Sequence, residues 1–337
     1  MANNTANRKR AGILGTGWHV PEGKVTNADL EQMVDTNDAW IRERTGIAER
    51  RRAAEGQPVS DLAERAARMA LGDAGVAAED LDLIIVATLT GDRIIPSTAC
   101  VLQDRLGAHH AAAFDLAAAC SGFVYASAVA CQFIESGVYR HVLVIGAETL
   151  SKVVDWTDRN TCILFGDGAG AAVYGVVEDG LGVLAFDLGS DGSGGDALDI
   201  PAGGSARPMT EERLRAHEQF VHMDGKAVFR FAVKVMGKTV ETALARCGLS
   251  PDDIDYLVPH QANIRILDAA AKRLHLQKEK VVVNIEHYGN MSAASIPVAL
   301  AEAAHAHRFK KGDTIALSGF GAGLTWASCI MKWAKED

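Results

Sequence analysis

Between Asp61 and Thr88 the chain reads DLAERAARMALGDAGVAAEDLDLIIVAT. Apolar residues recur at helical spacing as far as Leu71, a glycine follows at Gly75, and Asp80 and Asp82 mark a short turn before an unbroken apolar run. A helix, a glycine stop and a run of strand length predict one helix–turn–strand unit. The same pattern returns at Lys234–Gln261, KVMGKTVETALARCGLSPDDIDYLVPHQ, which aligns with the first stretch without a gap. Gly75 meets Gly248, Asp80 meets Asp253 and Asp82 meets Asp255, each pair 173 positions apart. At the same offset Gly146, ending HVLVIG, meets Gly319, ending TIALSG, and Cys120 in ACSGFVYA meets Ala293 in SAASIPVA.

An internal repeat fixes architecture before any motif is considered. Runs such as LDLIIVAT and HVLVIGA are apolar on both faces, so their sheets need helices on both sides. Two such units predict a layered α/β protein with pseudo-twofold symmetry, divided near Asp179–Gly180 into halves spanning 10–179 and 180–337. A duplicated fold leaves a natural site at the seam, where equivalent loops of the halves face each other.

Composition narrows the function. With 48% hydrophobic and 23% charged residues the chain is that of an ordinary globular protein. A net charge of −9 argues against a general binder of nucleic acid or anionic membrane, so any acidic partner must be met by a local basic patch. Met1–Arg10 is polar and basic and reads as a frayed terminus, and the apolar stretch after it is broken by Gly12, Gly15 and Gly17 before reaching signal-peptide length. No apolar run approaches the roughly 20 residues of a membrane span. The six cysteines lack the paired spacing of a zinc site and the density of a disulfide scaffold, which points to reduced thiols in the cytoplasm.

Cys120 follows a short apolar strand and opens a long apolar helix pattern in AFDLAAACSGFVYASAVACQF. Unpaired N–H groups and the positive helix end favour a thiolate there, whereas the bland alternative is a buried structural cysteine. His260, in YLVPHQANIRI, and Asn290, in NIEHYGNMSAAS, occupy strand-end loops of the second half. Each alone reads as an ordinary structural or turn residue. Together they supply two donors for one thioester oxygen on which negative charge develops. The glycine-rich SGFGAGLTW, Ser318–Trp326, is followed by strand-like residues instead of a helix, which demotes a dinucleotide loop. It reads as a tight hairpin, or as a loop bringing a backbone N–H beside Cys120. FGDGAGAA, Phe165–Ala172, reads as close backbone packing.

With LAAACSGF, VPHQANIRI and GNMSAASIP around Cys120, His260 and Asn290, the chain resembles the thiolase-fold condensing enzymes, most closely the β-ketoacyl-acyl-carrier-protein synthase III family. DAWIRERTGI, WTDRNTCILFGDGAGA and FGAGLTW extend the likeness from about Gly12 to Trp333. The resemblance implies a five-layered αβαβα sandwich, normally a homodimer. It implies that a primer acyl-CoA, acetyl-CoA first, acylates Cys120, and that malonyl-acyl carrier protein then loses CO₂ to an enolate held by His260 and Asn290. No cofactor is implied, coenzyme A serving as the thioester substrate. By the same correspondence Trp40 and Arg159 sandwich the adenine of coenzyme A, Arg44 approaches its phosphate, and Asn263 and Arg265 meet its pantetheine arm. Arg230, Gln261, Arg265, Lys272 and Arg273 match the carrier-protein docking segment, Ala322 the oxyanion loop, and Ile95 a closure of the acyl pocket across the dimer.

Two positions depart from the family pattern: Ala322 stands in place of a common glycine, and Met291 in place of threonine. Ala322 keeps its N–H. The sequence leaves open a related secondary-metabolism acyltransferase or ketosynthase. A thiolase or hydroxymethylglutaryl-CoA synthase would need a second catalytic cysteine or a glutamate base near His260, and a non-catalytic carrier-binding scaffold would not explain why all three residues are present.

Overall fold

The computed structural model describes residues 9–336, so the stretch read as a frayed terminus lies, up to residue 8, outside the described residues. Two sheets carry the fold. Their strands are β1 (Arg10–His19), β2 (Leu83–Ala87), β3 (Ala112–Leu116), β4 (Val142–Thr149), β5 (Asp167–Val177), β6 (Gly182–Ser190), β7 (Tyr256–Pro259), β8 (Thr314–Gly321) and β9 (Thr325–Lys332). The helices that matter here are α1 (Asp38–Thr45), α2 (Val59–Ala74), α3 (Thr98–Leu106), α4 (Gly122–Glu135), α5 (Gly225–Arg246), α6 (Ile264–Arg273) and α7 (Ser295–His305).

The first sheet has the order β1-β5-β4-β2-β3, with β2 parallel to β3 and β4 and β5 antiparallel to β4 and β1. The second has the order β7-β8-β9-β6, with β7 and β8 parallel and β9 antiparallel to β8 and β6. Strands β7, β8, β9 and β6 thus occupy the places of β2, β4, β5 and β1. The repeat extends to single hydrogen bonds: Val76 N–H reaches the Leu71 carbonyl at 3.1 Å and Leu249 N–H the Leu244 carbonyl at 3.0 Å, closing each helix after its glycine. Asp82 N–H to the His141 carbonyl and Asp255 N–H to the Thr314 carbonyl, both 3.0 Å, repeat at the same offset.

The copy is incomplete at one edge. The counterpart of β3 shrinks to a single bridge between Leu257 and Val281. There the Gln261 side chain takes up backbone groups that a longer strand would pair, donating to the Pro259 and Val282 carbonyls and accepting from Asn284 N–H.

Alternation along β2 shows why both its faces are apolar: Leu83, Ile85 and Ala87 join the central core, while Ile84 and Val86 join the core under α2. Each fully buried side chain of this size contributes about 2 kcal/mol of hydrophobic burial. Helices α2 and α3 cover the outer face of the first sheet, α4 and α7 lie between the sheets, and α5 and α6 cover the second, which is the five-layered αβαβα sandwich. The Phe165–Ala172 glycines serve close packing as expected: a Cβ on Gly170 would stand 2.5 Å from the Val298 nitrogen of α7. Among the described residues no helix is long and apolar enough to cross a membrane.

Candidate active site

After β3 the chain makes a short turn at Ala119–Ser121 and enters α4 at Gly122, so Cys120 stands at the amino end of a central helix. Ala119 holds φ of +48°, a left-handed conformation that costs a residue with a Cβ and clusters at functional sites. The close approach is made by Gly321: a Cβ there would lie 2.6 Å from the Cys120 nitrogen. The Ser318–Trp326 glycines therefore form both a β8–β9 hairpin and a tight cover over Cys120, and Ala322 lines the cavity beside it.

Cys120 is 6% exposed, and burial pushes its thiol from 9.0 up to about 12, with Ser292 pulling the other way. The helix end was expected to favour the thiolate. It contributes about 1 kcal/mol against the about 4 kcal/mol that such a rise represents, so desolvation wins and the resting group is a thiol.

His260 directly follows β7, fixed by its N–H to the Ser318 carbonyl at 2.7 Å, with its ring edge-on to Phe320 at 5.6 Å. Burial lowers its pKa to about 3, and its Nδ1 has no hydrogen-bond partner. It is a neutral imidazole, suited to donating a hydrogen bond and poorly suited to carrying a proton. Asn290 is clamped through its backbone, its N–H to the Leu164 carbonyl at 2.8 Å and its carbonyl to Gly166 N–H at 2.9 Å. Its Oδ1 accepts from Ser292 N–H at 2.8 Å, so the amide orientation is set and Nδ2 is left to donate. Beneath this clamp the buried Arg50 guanidinium donates to the carbonyls of Ile163 and Val25 and to Asn27, with burial lowering its pKa to about 10. Met291 points away from the cavities, buried with Ala294 and Val298 against Trp18 and Tyr288.

Three adjacent spaces share walls here. Cys120, His260 and Asn290 line a cavity of about 160 Å³. Met223, Phe229 and Asn263 are shared with a wider mouth of about 730 Å³ bearing Trp40, Arg44, Lys226, Arg230 and Arg265. On the other side Cys120, Phe165 and Leu198 are shared with an apolar pocket of about 250 Å³ walled by Leu89, Leu150, Val153 and Val221. At the mouth the Arg44 and Arg159 guanidiniums stand 5.7 and 5.2 Å from the Trp40 ring centroid, both within cation–π range. Asn263 caps α6 through Arg265 N–H and donates to the Arg44 carbonyl, which ties α1 to α6 and leaves its amide largely occupied.

Other sequence assignments fare differently. Gln261 cannot contact a docking partner: it is fully buried, its amide spent on Pro259, Val282 and Asn284. Arg230, Arg265, Lys272 and Arg273 are all exposed on α5 and α6, Arg273 being also bound to Glu241 in a two-pronged pair at 2.9 and 2.7 Å. Ile95 is 82% exposed and lines none of these cavities within its own chain. The sequence reading missed Arg50, Glu148 and Ser292. Serines beside a candidate asparagine carry no pattern signal, and Glu148 reads as the polar end of an apolar strand.

Comparison with known proteins places the chain among the thiolase-fold condensing enzymes. Residues 114–192 match the family described as 3-oxoacyl-[acyl-carrier-protein] synthase III, and residues 244–333 match its C-terminal region. A curated relative from Caldanaerobacter subterraneus subsp. tengcongensis, named β-ketoacyl-[acyl-carrier-protein] synthase III, is 58% identical over 325 residues, spanning 96% of this chain and 98% of its own. The crystal structure of 3-oxoacyl-[acyl-carrier-protein] synthase III from Aquifex aeolicus aligns with a TM-score of 0.89 at 44% identity, covering 96% of this chain and 100% of that one. The priming β-ketosynthase of the R1128 polyketide pathway aligns at 0.90 with 35% identity, covering 99% of both chains. The chain belongs to the β-ketoacyl-[acyl-carrier-protein] synthase III family.

Proposed function

We propose that this protein joins an acyl-CoA primer, acetyl-CoA first, to malonyl-acyl carrier protein with loss of CO₂, starting type II fatty-acid synthesis. The observation that carries this reading is the shared cavity of Cys120, His260 and Asn290, set between a basic aromatic mouth and an apolar pocket. The primer's adenosine end rests at Trp40 and Arg44, its pantetheine arm passes Phe229 and Asn263, and its acyl group enters the apolar pocket. Cys120 attacks the thioester carbon and coenzyme A leaves. The malonyl thioester then takes the vacated passage, and its oxygen accepts hydrogen bonds from neutral His260 and from Asn290 Nδ2. Loss of CO₂ leaves an enolate on that oxygen, where fixed donors in a dry site are worth most. Its carbon attacks the acyl-cysteine, and the β-ketoacyl product departs on its carrier. Decarboxylation drives the bond formation, so the scheme calls for no ATP, metal or cofactor.

The exposed Arg230, Arg265 and Lys272 suit an acidic carrier protein near the mouth, where charge complementarity raises the rate of encounter. Exposed Ile94 and Ile95, in the loop between β2 and α3, and Phe114, on the edge strand β3, suit the contact of a homodimer. In this reading the enzyme works in the cytoplasm. A secondary-metabolism role for the same site is the second reading, favoured by the likeness to the R1128 priming enzyme. A panel of straight and branched acyl-CoAs, each offered with malonyl-acyl carrier protein, tests both through CO₂ release and product mass. Preference for acetyl-CoA with a C4 β-ketoacyl product supports the first, and turnover only with unusual primers overturns it.

A further inference from the structure

Thiol acylation needs somewhere for the Cys120 proton to go, and His260, neutral down to a pKa of about 3, is a weak acceptor. The turn that follows Asn290 offers another. The Ser292–Ala294 turn packs between the Ala119–Ser121 turn and β4, whose penultimate residue, Glu148, is completely buried. Ser292 has φ of +46°, which holds its side chain toward the Cys120 pocket that it lines. Its hydroxyl is buried and has no hydrogen-bond partner, which leaves it free to pair with either neighbour, and it favours the ionised forms of both Cys120 and Glu148. Glu148 Oε2 is well supplied, accepting from Thr90 Oγ1 at 2.6 Å, Thr88 Oγ1 at 3.3 Å and the N–H groups of Leu89 and Thr90 at 3.1 and 3.2 Å. Oε1 takes only a share of the Leu89 N–H, at 3.2 Å, and keeps acceptor capacity.

We infer that Glu148, acting through Ser292, receives the Cys120 proton during primer transfer. This inference rests on the condensing reading above and adds to it a proton path through the turn that follows Asn290. As the sulfur bonds to the primer carbonyl carbon, its S–H bond breaks and the proton passes to Ser292 Oγ, while the Ser292 hydroxyl proton moves to Glu148. Collapse of the tetrahedral adduct breaks the bond from carbon to the coenzyme A sulfur. Glu148 then returns its proton through Ser292 to the departing thiolate, so charge and protons balance. Burial raises the Glu148 pKa to about 7, a far better match to a thiol than His260, with the bonds from Thr90 and Leu89 opposing the rise. Of the groups around Glu148, Thr88, Thr90 and Ser292 are neutral, Cys120 is the thiol in question, and Asp167 on the neighbouring strand is bound to Ala53 and Ser151.

The test is the rate of acyl-enzyme formation, followed by rapid quench and intact mass from pH 5.5 to 9 with the primer acyl-CoA. In the wild type the rate should rise through an inflection near pH 7, as Glu148 loses its proton and becomes able to accept one. Ser292→Ala leaves the Glu148 bonds to Leu89 and Thr90 in place. It should slow acylation at least tenfold relative to malonyl decarboxylation and remove the inflection, which a packing role alone would not move. Glu148→Gln should also abolish the inflection. A Ser292→Ala enzyme with the wild-type rate and the same inflection overturns the relay alone, and a wild type that takes up no acyl group overturns both the relay and the condensing reading.

Discussion

Ala119 and Ser292 stand at equivalent places in the two halves, with φ of +48° and +46°, each opening a turn that leads into a central helix. The first turn presents Cys120, and the second presents Ala293 at the equivalent position. Each is pressed by the other half's glycine: a Cβ on Gly146 would meet the Ala293 carbonyl oxygen at 2.1 Å, and one on Gly319 the Cys120 carbonyl oxygen at 3.1 Å. The shared part is backbone, and it fixes where the two helix ends face each other. The chemistry lies in what differs: a thiol in one copy, and in the other a serine hydroxyl with Asn290 and His260 close by in sequence or space.

The comparison breaks hardest at the thiol. Cys120→Ala should lower condensation by roughly 10⁴-fold, and adding Ala293→Cys should not restore it, because position 293 is buried and lines none of the cavities. Acyl-enzyme formation read by intact mass checks both. His260→Ala should lower malonyl decarboxylation by about 10²–10³-fold through loss of an oxyanion donor, while an acyl-enzyme still forms. A CO₂-release assay separates the two steps.

Smaller effects sharpen the inequality of the two glycines. Gly146→Ala should cost about 3 kcal/mol and Gly319→Ala about 1 kcal/mol of stability by denaturant unfolding, as expected when overpacking meets rigid or more yielding neighbours. The smallest effect concerns pH. His260 takes up a proton only as pH falls to about 3, so it stays neutral across the working range. The decarboxylation rate of pre-acylated enzyme should therefore change by less than about twofold between pH 5.5 and 8.

The duplicated sheets were legible because glycine stops and apolar runs recur in one register, and strands such as β2 must face two cores. Cys120, His260 and Asn290 were legible as candidates through their strand-end positions. The incomplete edge beside β7 was not, since it depends on where the Gln261 amide finds partners. The protonation state of Cys120 was read the wrong way: a helix end is visible in sequence, and the burial that outweighs it is not. Arg50 escaped notice for the same reason, as one more arginine in ERR until its guanidinium is seen reaching Ile163 beneath Asn290.

Mass mapping of a single acyl group tests the central claim most directly. After exposure to isotope-labelled acetyl-CoA or a longer primer and digestion at low pH, the label is expected on the peptide bearing Cys120 and on none of the peptides bearing Cys100, Cys131, Cys162, Cys247 or Cys329. A label on one of those other thiols, or no label with any primer while the protein remains folded, would contradict the account.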